Sequence, residues 1–277
     1  MTADEVEMAL AWAATEGWNP GLRDAACFRA ADPEGFLIAR REGKPVAVIS
    51  AVRSGAALGF IGLYIAAPEA RGQGHGMAIW RAAMAHLAGR TVGLDGVVAQ
   101  QANYRKSGFE FAWNNARYQS SEPCPPPVEL PLGTLLSAVH NVPFETLRAF
   151  DAECYGADRP AFLRAWLDSP GHCGLALVDA GERLLGFGVV RPCGVGCKVG
   201  PLFAEGPEEA ACILAGLARR ATPGPLILDV PEDRPEAVAL ARASCMAKVF
   251  ETARMYAGPP PPMRRDRVFG ITSFELG

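Results

Sequence analysis

Leu63-Tyr64-Ile65-Ala66-Ala67-Pro68-Glu69-Ala70-Arg71-Gly72-Gln73-Gly74-His75-Gly76 runs from the end of an apolar stretch, through a turn marked by Pro68 and three glycines, into a helical pattern. Residues 58–65 are apolar and aromatic-rich, as a buried strand is, and from Met77 onward Ile79, Trp80, Ala83, Met84 and Leu87 recur at helical spacing. The glycines therefore fall at a helix N-terminus. The first N–H groups of a helix have no partner inside it and its dipole favours negative charge there. Gly72, Gly74 and Gly76 would let a phosphate approach bare backbone, and Arg71 adds a full positive charge, so the stretch reads as an anion-binding loop.

Two other phosphate-binding patterns fit less well. A nucleotide-binding P-loop ends in Gly-Lys-Ser/Thr, and no Lys-Ser/Thr follows Gly76. A dinucleotide fingerprint leads to an acidic residue about 20 positions on. Asp95 keeps that reading open, although nothing before the loop resembles the start of a doubly wound sheet. Arg71-Gly72-Gln73-Gly74-His75-Gly76 after a Leu-Tyr-Ile strand and a proline instead resembles the pyrophosphate loop of the GNAT superfamily of acyl-CoA-dependent N-acetyltransferases. Asn103-Tyr104-Arg105-Lys106-Ser107-Gly108-Phe109, after a strand expected at 92–99, resembles a second motif of that superfamily. The resemblance implies that Leu63, Tyr64 and Ile65 hold the pantetheine arm and the thioester by their backbone. It also implies that residues 71–76 hold the pyrophosphate and that Tyr104 lies near the sulfur. A phenol stays protonated at neutral pH, which suits it to protonate a departing thiolate. Taken singly, Tyr104 also fits a half-buried packing role.

The chain has 277 residues, more than one average domain, and its 49% hydrophobic content is ample for packed cores. The net charge of -3 and the lack of a basic stripe beyond Met263-Arg264-Arg265-Asp266-Arg267 argue against nucleic acid as a partner. No apolar run reaches 18 residues and the first five residues carry Asp4 and Glu5 and no basic residue, so neither a membrane span nor a signal peptide is expected and the cytoplasm is the predicted compartment. The eight cysteines are scattered and read as reduced core thiols. Cys193 and Cys197 form a Cys-x3-Cys pair, but no second pair or placed histidine completes a zinc site, and no metal is expected.

Residues 120–131 contain five prolines and no helical periodicity, the composition of an extended spacer. Across it the sequence repeats faintly. Ile61-Gly62-Leu63-Tyr64-Ile65 matches Val199-Gly200-Pro201-Leu202-Phe203, and Phe109-Glu110 followed by Ala116-Arg117-Tyr118 matches Phe250-Glu251 followed by Ala253-Arg254-Met255-Tyr256. The predicted fold is α/β (α+β): two tandem GNAT-like domains, each a mixed twisted sheet flanked by helices. The expected boundaries are 1–120 for an acyl-CoA-binding domain, 121–131 for the linker and 132–277 for a degenerate copy. In the second copy Glu205, Glu208 and Glu209 stand where the first has Arg71 and its glycines. Carboxylates suit a helix start but repel a pyrophosphate.

Glu16-Gly17-Trp18-Asn19-Pro20-Gly21, Glu251-Thr252-Ala253-Arg254-Met255-Tyr256 and the tail Phe269-Gly270-Ile271-Thr272-Ser273-Phe274-Glu275-Leu276-Gly277 extend the resemblance, to a bacterial tandem-GNAT subgroup. Trp18 and Asn19 lie between helices expected at 6–15 and 22–30, and in GNAT folds this connection borders the acceptor. They are candidates for holding a small amine, or for plugging the helix pair and capping the second helix. Arg254 and Tyr256 are candidates for facing the same cleft from the second half, or for forming a strand-surface pair, the favoured reading. The implied reaction is direct acyl transfer from acetyl-CoA, or another acyl-CoA, to a small amine in a ternary complex. A binding or regulatory protein with weak turnover is the alternative, because no carboxylate lies on 58–65 and Asp229 is only a weak candidate base. The sequence leaves acceptor, acyl length, and the choice between monomer and homodimer open.

Overall fold

The computed structural model describes residues 1–277. Helix α1 (Ala3–Thr15) starts at a capping box, with Thr2 and Glu5 each bonding the other's backbone N–H, and buries Val6, Ala9, Leu10 and Ala13 at helical spacing. Helix α2 (Asp24–Ala31) leads into a meander of β1 (Phe36–Arg41), β2 (Lys44–Ser54) and β3 (Leu58–Ala66). The first half continues with α3 (His75–His86), β4 (Thr91–Val97), α4 (Gln101–Lys106) and β5 (Glu110–Ser120). The second half repeats this plan. It comprises β6 (Thr134–Ala138), α5 (Phe144–Tyr155), α6 (Pro160–Asp168), β7 (Cys173–Asp179), β8 (Leu184–Pro192), β9 (Cys197–Ala204), α7 (Pro207–Ala218), β10 (Leu226–Pro231), α8 (Pro235–Ala243), β11 (Ala247–Ala257) and β12 (Val268–Gly270).

All twelve strands form one sheet, in the order β1-β2-β3-β4-β11-β5-β10-β9-β8-β7-β6, with β12 beside β9. The two halves have thus exchanged their last strands. β11 pairs antiparallel with β4 (Thr252 opposite Val97, Ala257 opposite Val92), while β5 pairs antiparallel with β10 (Leu226 opposite Ser120). The repeated Phe-Glu and Ala-Arg patterns run from Phe109 into β5 and along β11, the two strands that are exchanged. The cores are shared as well. One cluster joins Val6, Leu10 and Phe28 of the first half to Phe162, Trp166 and Phe187 of the second, with the Phe28 and Trp166 rings stacked 6.2 Å apart. Fully burying side chains of this kind contributes about 1.5–3 kcal/mol each.

Buried ion pairs staple the halves together. Arg254 on β11 donates to Asp95 on β4 (2.9 and 2.8 Å), Arg117 on β5 to Asp229 on β10 (2.7 and 2.9 Å), and Arg191 on β8 to Asp24 on α2 (3.0 and 3.4 Å). The proline-rich stretch carries no helix or strand between Ser120 and Thr134. Contrary to the expectation of thiols throughout, Cys124 in it is disulfide-bonded to Cys245 at a Cα separation of 6.0 Å, across 121 residues of sequence. The other six cysteines are free.

In each half two parallel strands part company. β3 and β4 pair from Leu58/Thr91 to Ile61/Leu94 and then diverge; β9 and β10 pair from Cys197/Leu226 to Val199/Leu228 and then diverge. A bulge marks each parting point, where the register of β2 with β3 shifts between Val48 and Ser50 and that of β8 with β9 between Gly188 and Val190. The two gaps differ in content. In the second half the chain's own tail enters the gap: β12 pairs with β9, and the Ile271 N–H donates to the Asp229 carbonyl of β10 at 2.9 Å. The C-terminal strand is therefore short, with residues 271–277 irregular but buried.

Candidate active site

The first gap opens into a cleft of about 500 Å³ lined by Leu63, Tyr64 and Ile65 on one side and Leu94, Asp95 and Val97 on the other. Leu63 sits at the bulge with φ +46°. Beyond Ile61 the edge of β3 that faces β4 has no ladder partner, which leaves its backbone groups available to an extended ligand.

Arg71, Gly72, Gly74 and Gly76 line the mouth of the same cleft. Gly74 caps α3 in the left-handed conformation (φ +83°) and Gly72 shares it (φ +75°), a geometry that costs other residues about 1–2 kcal/mol. A Cβ on either would meet no atom within 4 Å, so these positions face open space. Gly76 has a different reason: a Cβ there would lie 2.8 Å from the Tyr64 hydroxyl. The first α3 bond runs from the Ala78 N–H to the Gly74 carbonyl (3.1 Å), so the N–H groups of His75, Gly76 and Met77 lack helical partners. Arg71 pairs with Glu16, which also lines the cleft. Gln73 and His75 do not line it. The Gln73 amide donates to the Glu69 carbonyl at 2.6 Å and accepts from Arg41 at 2.9 Å, and Nε2 of His75 is buried without a partner.

Tyr104 reaches the cleft from α4. Its ring stacks on Trp80 at 5.6 Å, and a Cβ at residue 96 would lie 2.7 Å from it, so Gly96 makes the space. Burial, with Tyr64 close by, pushes its hydroxyl up to about 12. Trp18 also lines the cleft. Asn19 stands apart: its amide is bonded in both directions to the backbone of Val195, at 2.9 Å each way, and ties the α1–α2 loop to the β8–β9 turn.

Asp229 is removed as a base. It is 1% exposed and doubly bonded to Arg117; burial opposes its charge, but the Arg117 guanidinium and its hydrogen bonds prevail and hold the carboxyl below its usual range. Asp95 accepts from Arg254 and, at 2.8 Å, from Asn115. With the β1-β2-β3 meander antiparallel, no doubly wound sheet surrounds it, and the dinucleotide reading falls. Arg254 and Tyr256 do not line the cleft; they pack on Trp113, Arg254 at 5.6 Å and Tyr256 at 5.8 Å.

Among the lining residues not singled out from the sequence are Glu16, Phe250, Thr252, Phe274 and Glu275. Four of them come from the second half. Glu275 is 2% exposed and neither carboxylate oxygen has a hydrogen-bond partner; Thr252 is also 2% exposed and its hydroxyl is equally unpartnered. The tail is pressed against β3 just before the bulge, where a Cβ on Gly62 would lie 2.1 Å from the Glu275 carbonyl oxygen.

Residues 4–109 match the Acetyltransferase (GNAT) family and residues 147–270 match the Acetyltransferase (GNAT) domain. A protein named holothin acyltransferase, from Pseudoalteromonas sp. (strain SANK 73390), is 29% identical over 277 residues, covering 99% of this chain and 92% of that one. Among solved structures, a Pyrococcus horikoshii protein provisionally described as an acetyltransferase has a TM-score of 0.81 at 22% identity, covering 100% of this chain and 94% of the other. A tandem GNAT protein from the clavulanic acid biosynthesis pathway has a TM-score of 0.62 at 16% identity, covering 94% and 98%. With a GNAT match in each half and a splayed parallel strand pair in each, the chain belongs to the GNAT acyltransferase superfamily and carries two GNAT domains in tandem.

Proposed function

We propose that this chain transfers an acyl group from acetyl-CoA, or another acyl-CoA, directly to a small-molecule amine in the cleft between β3 and β4. The observation that carries the proposal is the open gap at the Leu63 bulge leading to the glycine loop at the start of α3. Backbone of Leu63, Tyr64 and Ile65 would hold the pantetheine arm and thioester. The free N–H groups at residues 72–77 would hold the pyrophosphate, with Arg71 leaving Glu16 to meet it. The rate would come from positioning and from donors aimed at the developing oxyanion.

Tyr104 is suited to donate a hydrogen bond to the departing sulfur. Burial raises its hydroxyl to about 12, so it stays protonated and can pass its proton toward the departing thiolate. On this reading the unit 1–120 binds acyl-CoA, and the unit 132–277 walls the acceptor site without binding acyl-CoA itself. Support for that asymmetry is the tail in the gap between β9 and β10 and the acidic Glu208 and Glu209 at the start of α7.

The relative's name makes holothin the first acceptor to test, followed by a panel of primary amines. Thiol release that depends on an added amine, and falls in Tyr104→Phe, supports an enzyme. Tight acetyl-CoA binding with no amine-dependent release would instead favour a protein that binds acyl-CoA without turning it over.

A further inference from the structure

Glu275 is an anomaly that the fold alone does not explain. A buried carboxylate with two orphaned oxygens is costly unless donors meet it, yet no hydrogen bond in the protein reaches either oxygen. Charge balance explains why it is tolerated. Asp24, Arg117, Arg191, Lys198, Asp229 and Glu275 are all buried. Asp24 is paired with Arg191 and Asp229 with Arg117. Lys198 donates only to the Asn19 carbonyl, at 3.0 Å. The lysine and Glu275 are the two charges left over, one of each sign. The cations that act on Glu275 are Arg117 from β5, Arg191 from β8 and Lys198 from β9. The carboxylate is thus compensated at a distance and its hydrogen-bonding capacity is unspent.

Its position is equally specific. The Gly62 contact sets residue 275 against β3 immediately before the Leu63 bulge, where the thioester would lie. Around it the cleft is walled by Trp18, Phe250 and Phe274, and Thr252 adds a second unspent polar group.

We propose that Glu275 is the general base of the reaction, and that together with Thr252 and the aromatic walls it selects a cationic primary amine carrying a flat apolar body. The proposal rests on the acyl-transfer reading above. The Glu275 carboxylate, whose oxygens are buried in the unliganded chain, turns toward the cleft as the acceptor binds, and the acceptor's ammonium gives it one proton, directly or through one water. The freed nitrogen lone pair forms a C–N bond to the thioester carbonyl, and the C–S bond breaks with its electron pair leaving on sulfur. The nitrogen loses its second proton as the amide forms; one proton returns to solvent from Glu275 and the other ends on the thiol.

The test uses the full-length chain, acetyl-CoA, and benzylamine and tryptamine as probe acceptors. Wild type, Glu275→Gln and Glu275→Asp are compared for acetyl-CoA binding and for thiol release between pH 6 and 9. Expected is unchanged acetyl-CoA affinity within about twofold, with kcat of Glu275→Gln reduced about 100- to 10,000-fold. Its kcat/KM should rise tenfold per pH unit below the amine's own pKa, because only free amine then reacts, while wild type stays flat over the same range. Glu275→Asp keeps a carboxylate and should keep the flat profile at reduced kcat. A merely structural role would leave the pH slope of Glu275→Gln like that of wild type, and that result overturns the proposal. So does a wild type that binds acetyl-CoA yet releases no thiol with either amine. A wild type that fails to bind acetyl-CoA at all fails at the earlier step, the acyl-CoA site itself.

Discussion

Replacing Gly62 by alanine places a methyl group where the tail backbone runs. The new Cβ would lie 2.1 Å from the Glu275 carbonyl oxygen and 2.9 Å from its carbonyl carbon and Cα. Ordinary contact begins at 3.4 Å, so the tail must retreat by about 1.3 Å, and backbone held on both sides cannot swing aside as a side-chain tip can. Two effects follow. Overpacking at a buried strand costs about 1–3 kcal/mol, read as a lower urea midpoint. Displacing the catalytic carboxylate by about 1 Å reduces turnover about 100-fold. The glycine loop at residues 72–76 is untouched, so acetyl-CoA should still protect the variant against unfolding. The assay is urea denaturation with and without acetyl-CoA, followed by amine-dependent thiol release. Wild-type stability together with wild-type turnover in Gly62→Ala would refute the reasoning that the tail is seated on β3 and holds the site.

Three further outcomes are expected. Glu16→Gln removes a carboxylate beside Arg71 at the loop; a half-exposed pair is worth at most about 1 kcal/mol, so calorimetry should show acetyl-CoA affinity rising by up to about fivefold, and a weaker affinity would contradict competition for Arg71. Asp95→Asn leaves the Arg254 guanidinium buried and uncompensated, at a cost of about 3–5 kcal/mol in urea unfolding. The double change Asp95→Leu, Arg254→Met should cost less than the single one, and a larger cost would contradict the burial argument. His172 is pushed down to about 4 by burial first and by the charge of Arg191 second. The unfolded chain, with a histidine near 6.5, binds the extra proton first, so this contribution is full above about pH 6.5 and is lost as pH falls toward 4. That loss is up to about 3 kcal/mol. Comparing urea stability at pH 7.0 and 4.5, His172→Gln should lose less than wild type, and equal losses would show that His172 does not titrate with unfolding.

What could be read from the sequence is what is local in it. The strand at 58–65, the turn and the helix from Met77 announce themselves by apolar period, proline and glycine, and they appear as β3 and α3 within two residues. Gly72 and Gly74 belong to the same class, since a left-handed turn constrains residue type on the spot. The assignments that changed depend on partners far along the chain. Asp229 stood as a weak candidate base because Arg117, 112 residues away, is invisible to spacing, and the Asn19 amide is spent on Val195, 176 residues away. The exchange of β5 and β11 was hidden by the repeat itself: two strands with the same alternation are interchangeable on paper. Glu275 sat in plain view in the tail motif. It becomes a site residue only because the tail threads the β9–β10 gap and emerges against Gly62, a path no periodicity encodes.

The central claim, that the gap after Ile61 and the loop at α3 form an acyl-CoA site, is tested most directly by thermal and chemical stability with acetyl-CoA. Wild type is compared with a double variant, Arg71→Glu, Gly74→Asp. At about 100 times its dissociation constant the ligand should stabilise wild type by about 2.7 kcal/mol and leave the double variant unchanged. Equal stabilisation of both chains, or of neither, would contradict the account.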